Sequence, residues 1–328
     1  MKLRPLGKSY HTIVQSRASP ISLGALAATL ILIAVALVAS TATKFSVTTL
    51  PNIFPLIGGV LAADVLLRLA PQQKFTDAAQ LALYAILYLV INCVCGVIAA
   101  YSLQRMAFPL QDQFLARADA MLGFEWLGFA RWVDDHPQIQ GAFHLAYDTI
   151  FPQIVLPVVV FAFADRLAEL RVYLLALALA FILTIVISAL MPAVGPIVFA
   201  DPASFKIMRF TGATPIDQLR WLREAGPMVL RQDPGGIATF PSFHATIAIL
   251  IPLTLRKFPR IFTALLVLDA AMLGGTLSEG AHYLVDVLAG GGMALFAYAT
   301  ARPILRAEAR LFSKRNQRAT SAAAPVPI

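Results

Sequence analysis

The chain has 328 residues, of which 59% are hydrophobic and only 13% are charged, and its formal net charge is +8 at pH 7. Soluble domains carry about 25% charged residues, so this composition excludes an ordinary soluble domain and predicts an all-α integral membrane protein. The positive charge clusters at the chain ends and in short connections, which is typical of membrane topology rather than of nucleic-acid binding.

Eight apolar segments have a length close to the roughly 20 residues that a bilayer-spanning helix needs. In chain order they are 21–40, 51–70, 78–101, 142–163, 172–192, 242–257, 260–277 and 282–301. The sequence therefore predicts about eight transmembrane helices.

Basic residues predict the orientation of these helices. Both chain ends are rich in lysine and arginine, so an even number of spans and the positive-inside rule place both termini in the cytoplasm. The short connections expected on that side are 68–77, 164–171 and 256–260. Each carries at least two basic residues, whereas the short outer connections, 41–50 and 278–281, hold only Lys44. Short loops without targeting motifs favour a bacterial inner membrane.

Two long loops, 102–141 and 193–241, are expected on the outside. In the first loop apolar residues alternate with charges, which predicts one or two amphipathic helices at the outer surface. They form either a packing lid or a gate for a lipid substrate. The second loop is rich in proline and glycine, and long loops of this kind are usually functional. Its residues Arg209 and Arg231 are candidate phosphate ligands.

Ionisable residues stand at the beginning of two predicted membrane helices. His244 opens the sixth segment, and His282 opens the eighth, with Asp286 four positions later. This spacing places carboxylate and imidazole on one helix face, where an aspartate that accepts from one ring nitrogen raises the basicity of the other. Ionisable groups inside a membrane are costly and indicate function. The predicted topology puts both histidines at the outer end, where Tyr147 and Asp148 are expected to line the same pocket.

At these residues the sequence resembles the type 2 phosphatidic acid phosphatase superfamily, which includes lipid phosphatases and phosphotransferases. The segment from Pro241 to His244 matches the Pro-Ser-x-His block of the family. Gly280, His282 and Asp286 match its Gly-x-His-x3-Asp block, in the order and at the spacing that the family shows. The resemblance implies a lipid substrate handled in the bilayer.

The resemblance also implies a division of the chain. It predicts a six-helix catalytic core over 78–301, preceded by two added helices within 1–77 and followed by a basic, partly disordered tail at 302–328. One departure is informative, because Gly275 and Thr276 stand where the common family pattern has Ser-Arg. This departure, together with "MPAVGP", resembles the inositol phosphorylceramide synthase and sphingomyelin synthase branch, and it favours head-group transfer over hydrolysis.

The mechanism implied by the resemblance uses three residues. His282 attacks phosphorus and forms a phosphohistidine, Asp286 orients His282, and His244 protonates the leaving oxygen before it deprotonates the incoming water or alcohol. The candidate phosphate ligands are Ser242, backbone donors near Gly280, Arg231 and Arg209, with Tyr147 and Asp148 beside them. No metal, cofactor or nucleic acid is implied, and the oligomeric state stays open.

Other functions stay open at this point. A lipid phosphate or polyprenyl diphosphate phosphatase would use the same three residues with water as the acceptor. A proton-coupled transporter would need charges distributed through the membrane, for which only Asp269 is a candidate. A structural protein without catalysis is disfavoured by the complete set of His244, His282 and Asp286.

Overall fold

The chain is almost entirely helical in the computed structural model, which describes residues 19–46, 53–71, 73–206, 215–224, 228–229, 237 and 239–322. The helices are α1 (Leu23–Thr43), α2 (Ile53–Leu69), α3 (Lys74–Gln104), α4 (Asp112–Met121), α5 (Trp126–Asp134), α6 (Pro137–Asp148), α7 (Ile150–Phe163), α8 (Leu167–Leu190), α9 (Pro215–Arg223), α10 (Phe243–Leu255), α11 (Pro259–Ser278) and α12 (Leu284–Ala322). Two short strands, β1 (Phe45–Ser46) and β2 (Met228–Val229), pair in parallel. Short 3-10 turns occupy Pro196–Phe199 and Pro202–Ser204.

Five helices in the described part of the chain, α1, α3, α8, α11 and α12, are long and apolar enough to cross a membrane. The pair of α6 and α7 is a sixth candidate, because the two helices pass the same test together although they are bent by 50°. Two predicted segments correspond to shorter helices, α2 with 17 residues and α10 with 13. The protein is therefore an all-helical integral membrane protein, and the number of eight spans stays a prediction.

The fourth predicted segment, 142–163, is not the single helix that the sequence suggested. The chain bends at Thr149, whose backbone N–H and hydroxyl both donate to the carbonyl oxygen of Ala146, at 3.2 and 2.6 Å. Pro152 has no N–H to donate to the carbonyl oxygen of Asp148, so the helical hydrogen-bond ladder is interrupted there. As a result, α6 packs along α11, and α7 packs along α3 and α8.

The outer loop 102–141 contains the short helices that the sequence predicts. Helix α4 contacts α12, and α5 contacts α11. Trp126 of α5 is buried, and its indole N–H donates to the carbonyl oxygen of Leu277 at 2.7 Å, which satisfies a donor that burial would otherwise leave unpaired. The loop helices therefore pack firmly over the ends of α11 and α12.

Helix α8 lies at the centre of the main hydrophobic core and contacts α1, α3, α7, α10 and α12. Its Tyr173 is fully buried and donates to the carbonyl oxygen of Ile154 at 2.6 Å. Several buried residues of α12 are small, namely Ala294, Ala297 and Ala301. Small residues allow membrane helices to approach closely, and here they bring α12 against α8 and α10.

Helix α12 extends far beyond residue 301, where the predicted span ends. It continues without a break to Ala322. The basic tail predicted at 302–328 is therefore helical up to Ala322, and residues 323–328 lie outside the described part of the chain.

Candidate active site

The Pro-Ser-x-His block, Pro241 to His244, is called the first block, and the Gly-x-His-x3-Asp block, Gly280 to Asp286, is called the second block. The two blocks meet where α10 and α12 begin side by side. Ser242 caps α10, because its Oγ accepts the N–H of Ala245 at 3.3 Å. Its own N–H donates to the backbone oxygen of Asp286 at 3.0 Å, and one turn later the Thr246 hydroxyl donates to the carbonyl oxygen of Gly290, also at 3.0 Å. These bonds fix the first block against the second through backbone atoms.

The predicted contact between His282 and Asp286 is present. His282 Nδ1 lies 3.1 Å from Asp286 Oδ2, with the two side chains 7% and 0% exposed. The same carboxylate oxygen accepts the N–H of Tyr283 at 2.9 Å, which holds it in place. Because the carboxylate engages Nδ1, the ring nitrogen available for chemistry is Nε2.

His244 is held by a stacking contact with Tyr147, the penultimate residue of α6. The two ring centroids are 3.9 Å apart and the planes differ by 12°. Tyr147 also reaches the second block, because a Cβ on Gly280 would lie 3.1 Å from the Tyr147 hydroxyl and 2.8 Å from His282 Cδ2. Glycine at position 280 therefore lets His282, Tyr147 and the end of α11 approach closely.

The two histidines line one cavity of about 230 Å³, called the catalytic cavity below, together with Tyr147 and Gly280. Its other walls are largely aliphatic and aromatic, and they include Val97, Ala100, Phe181, Val194 and Ile237. Thr184 of α8 also lines the cavity, and its buried hydroxyl has no hydrogen-bond partner among the residues that the structure describes. The sequence analysis missed Thr184, since a lone threonine in an apolar helix gives no signal.

A second cavity of about 500 Å³, called the lateral cavity, adjoins the first. Both cavities are lined by Val97, Tyr147, Phe181, Phe243 and His244. The remaining walls of the lateral cavity are mostly apolar faces of α3, α7 and α8, and Phe151 in its wall is 69% exposed. The lateral cavity thus connects His244 with the apolar outer surface of the bundle.

Helix α12 is capped at its beginning by a carboxylate from α4. Asp119 accepts the N–H groups of Leu284 and Val285 at 2.8 and 2.9 Å. Burial raises the pKa of the Asp119 carboxyl above its usual value, and the two N–H donors act in the opposite direction. The N-terminus of α12 carries the partial positive charge of the helix dipole. Because its N–H donors already bind Asp119, this end fixes the helix rather than binding phosphate.

A second carboxylate of α4 fixes the loop that contains "MPAVGP". Asp112 accepts the N–H groups of Val194 and Gly195 at 3.0 and 2.9 Å and the hydroxyl of Tyr283 at 3.0 Å. Gly195 has a φ of 102°, and a Cβ there would lie 2.4 Å from the carbonyl oxygen of Ala281. Asp112 therefore joins the loop to the segment that carries His282.

The predicted phosphate ligands that the structure describes lie in different surroundings from one another. The backbone N–H groups of residues 279–282 all donate to carbonyl oxygens of α11, at 2.8 to 3.3 Å, so the donors near Gly280 are not free for phosphate. Ser242 is fully buried as a helix cap and does not line the catalytic cavity. Asp148 is exposed and lines the lateral cavity. Arg209 and Arg231 lie outside the described residues.

Positively charged side chains are scarce around the two histidines. Within the described ranges, no lysine or arginine lines the catalytic cavity. Thr276, which stands at the position of the family's arginine, is buried, and its carbonyl oxygen accepts the N–H of His282 at 3.3 Å. The second block is thus held by backbone contacts at the point where the common pattern has a cation.

Comparison with known proteins agrees with this geometry. The model of one protein family, described as the PAP2 superfamily, matches residues 113–300, which is more than half of the chain and includes both sequence blocks. No curated protein and no solved structure matches the chain. The chain belongs to the PAP2 superfamily, and it is a membrane enzyme of the lipid phosphatase or phosphotransferase class.

Proposed function

We propose that the protein transfers a phospho-head group from a lipid donor to an alcohol acceptor, through a phosphohistidine on His282. One observation carries the proposal: His282, which is paired with the buried Asp286, shares a cavity with His244, and that cavity adjoins an apolar space that reaches the bundle surface. A lipid can therefore present its phosphate to the histidines while its chain stays in an apolar environment.

His282 supplies the nucleophile in this proposal. Asp286 accepts a hydrogen bond from the Nδ1–H of His282, which fixes the tautomer with a lone pair on Nε2 and stabilises the positive charge that develops on the ring. Nε2 attacks phosphorus in line, a P–N bond forms, and the bond between phosphorus and the leaving oxygen breaks.

His244 handles the proton in both half-reactions. As an imidazolium it donates its proton to the leaving oxygen, and as a neutral imidazole it then takes the proton of the incoming hydroxyl group. That oxygen attacks the phosphohistidine, the P–N bond breaks, and His282 is regenerated. The stacked Tyr147 ring holds the His244 plane in one orientation through both steps.

The walls of the catalytic cavity support an alcohol rather than water as the acceptor. They are largely aliphatic and aromatic, so few polar atoms are present to hold water near the phosphohistidine. An acceptor with its own apolar portion can enter from the lateral cavity. Hydrolysis by water, as in a lipid phosphate or polyprenyl diphosphate phosphatase, is the alternative that uses the same residues.

The missing family arginine requires other phosphate ligands. We assign one such contact to the Thr184 hydroxyl, which lines the catalytic cavity without a partner. Arg209 and Arg231 remain proposals for the cationic contacts, and Arg231 precedes the cavity residue Ile237 by six positions in the chain. The loop-charge pattern supports cytoplasmic termini and an active site at the extracytoplasmic face. The short loops of the sequence are the basis for proposing a bacterial inner membrane.

The test is a product analysis with purified protein. Labelled phospholipid and lipid phosphate donors are incubated with and without inositol, diacylglycerol or a ceramide-like acceptor. We expect a new phosphodiester that requires the acceptor and disappears in His282→Ala. His136→Ala removes an exposed histidine that lines neither cavity, and it should stay active. Release of phosphate without any acceptor product would favour the phosphatase. No turnover of any donor would contradict both the transferase and the phosphatase.

A further inference from the structure

A cavity of about 600 Å³, called the distal cavity, lies at the end of the bundle opposite to the histidines. It is formed by the start of α1, the start of α8, the end of α10 and the middle of α12. Helices α10 and α12 both begin at the active site. Arg302 lies 18 residues after the first residue of α12, which corresponds to about 27 Å along the helix axis. The distal cavity is therefore at the opposite end of the helices and separate from the catalytic cavity.

The distal cavity carries an excess of positive charge. Its cationic lining residues are Arg171, Arg256, Lys257, Arg302 and Arg306. Among the described residues that line it, two are carboxylates, and both are engaged. Glu169 pairs with Lys257 at 3.0 Å, and Glu308 accepts the N–H of Gly24 at the start of α1.

Three of these arginines have no carboxylate partner in the part of the chain that the structure describes, namely Arg256, Arg302 and Arg306. The guanidinium carbons of Arg256 and Arg302 lie 5.4 and 5.0 Å from the centroid of the same ring, Tyr298. Arg306 follows Arg302 by one turn on the same face of α12. Like charges that line one cavity repel one another, and an anion bound among them would reduce that repulsion.

The remaining wall of the distal cavity is apolar. It includes Ile21 and Leu23 at the start of α1 and Leu305 and Phe312 on α12. Leu23 and Phe312 are 57% and 47% exposed, so this wall continues into the apolar outer surface of the bundle. A soluble anion would leave this wall unused, whereas an amphiphile with an anionic head covers both the charges and the apolar surface.

We infer that the distal cavity binds an anionic phospholipid from the leaflet opposite to the active site. Its phosphate lies among Arg256, Arg302 and Arg306, and an acyl chain follows Leu305 and Phe312. Guanidinium groups are suited to this role, because each offers two parallel N–H donors to phosphate oxygens. Basic pockets between membrane helices commonly hold lipid head groups.

The experiment compares lipid binding by two double variants with equal loss of charge. R302Q/R306Q removes two cavity arginines, and R260Q/R310Q removes two exposed arginines that do not line the distal cavity. Each protein is titrated with dioleoylphosphatidylglycerol in detergent micelles, and binding is followed by melting temperature and native mass spectrometry. We expect R302Q/R306Q to bind about thirtyfold more weakly than wild type, because two of the three guanidinium contacts to the phosphate are lost. R260Q/R310Q should bind like wild type.

Three further arms decide the identity of the ligand. R302K/R306K keeps the charge and should retain most of the binding, and phosphatidylcholine should bind weakly to every protein. Equal binding by R302Q/R306Q and R260Q/R310Q would overturn the site, since net charge alone would then explain it. Stabilisation by inorganic phosphate equal to that by the lipid would overturn the lipid assignment. If R302Q/R306Q does not fold, Arg256→Gln, which leaves α12 unchanged, is compared with Arg260→Gln, which loses the same single charge outside the distal cavity.

Discussion

Replacing Gly290 by alanine should disable the active site without disturbing the rest of α12. A Cβ on Gly290 would lie 2.2 Å from the carbonyl oxygen of Ser242, 3.0 Å from Ala245 Cβ and 3.2 Å from the backbone nitrogen of Thr246. The first and third of these are backbone atoms of the α10 start, so no side-chain rotation relieves the overlap. The start of α10 must move away from α12.

The size of this movement follows from the contact distance. Carbon and oxygen atoms in contact normally lie about 3.3 Å apart, so the two helices must separate by about 1 Å. The movement lengthens the hydrogen bond from the Thr246 hydroxyl to the carbonyl oxygen of Gly290, and it shifts His244 relative to His282. A misplacement of about 1 Å can lower a rate by about 100-fold. Overpacking costs about 1 to 3 kcal/mol of stability, and the higher helix propensity of alanine offsets about 1 kcal/mol of that.

The neighbouring glycine Gly292 provides a matched control. A Cβ at that position meets no atom within 4 Å, so Gly292→Ala makes the same chemical change in the same helix turn without the overlap. Turnover of the best lipid donor and the melting temperature are measured for both variants. We expect Gly292→Ala to keep wild-type turnover and Gly290→Ala to lose about two orders of magnitude while it still folds. Equal turnover of the two variants would refute the idea that this helix contact sets the distance between the histidines.

Three further substitutions test separate parts of the site. Asp119→Ala removes the cap of α12, which should lower unfolding free energy by about 1 kcal/mol. Turnover should also fall in Asp119→Ala, because the start of α12 carries His282 and Asp286. Asp135→Ala removes an exposed ion pair with Lys206 and is the control; equal turnover of the two variants would contradict the role of Asp119 in holding α12. Thr184→Val keeps the side-chain shape and should reduce turnover about tenfold if the hydroxyl binds phosphate, with Thr184→Ser near wild type. Asp269→Asn should preserve turnover and melting temperature, because this buried residue lines neither the catalytic nor the lateral cavity and an amide in its place can keep the contact with Gln153; a large loss would instead support a proton path.

Local sequence signals were sufficient for the helices and for the second block. Apolar segments nearly long enough to cross a bilayer identified the main helices, because a helix buried in lipid requires a continuous apolar stretch. The spacing of His282 and Asp286 predicted their contact, since residues four apart on a helix are neighbours. The bend at Thr149 was missed, although Pro152 carries a signal for it, because prolines are tolerated in many membrane helices.

Long-range contacts could not be obtained from the sequence. Asp119 lies 165 positions before Leu284, and charges on an amphipathic helix ordinarily face water, so its role as a cap had no local sign. The same holds for the stacking of Tyr147 on His244, which needs the bend to bring α6 against α10. The lateral and distal cavities depend on how several helices pack together, and no single segment predicts them.

The most direct test of the central claim is the identification of the phosphorylated residue. Wild-type enzyme is mixed with a lipid donor in the absence of acceptor, quenched in base, in which phosphohistidine is stable, and digested for mass spectrometry. The account predicts a phosphorylated or head-group-phosphorylated peptide modified at His282, absent in His282→Asn. A modification at another residue, or turnover with no modified enzyme at any time point, would contradict the account.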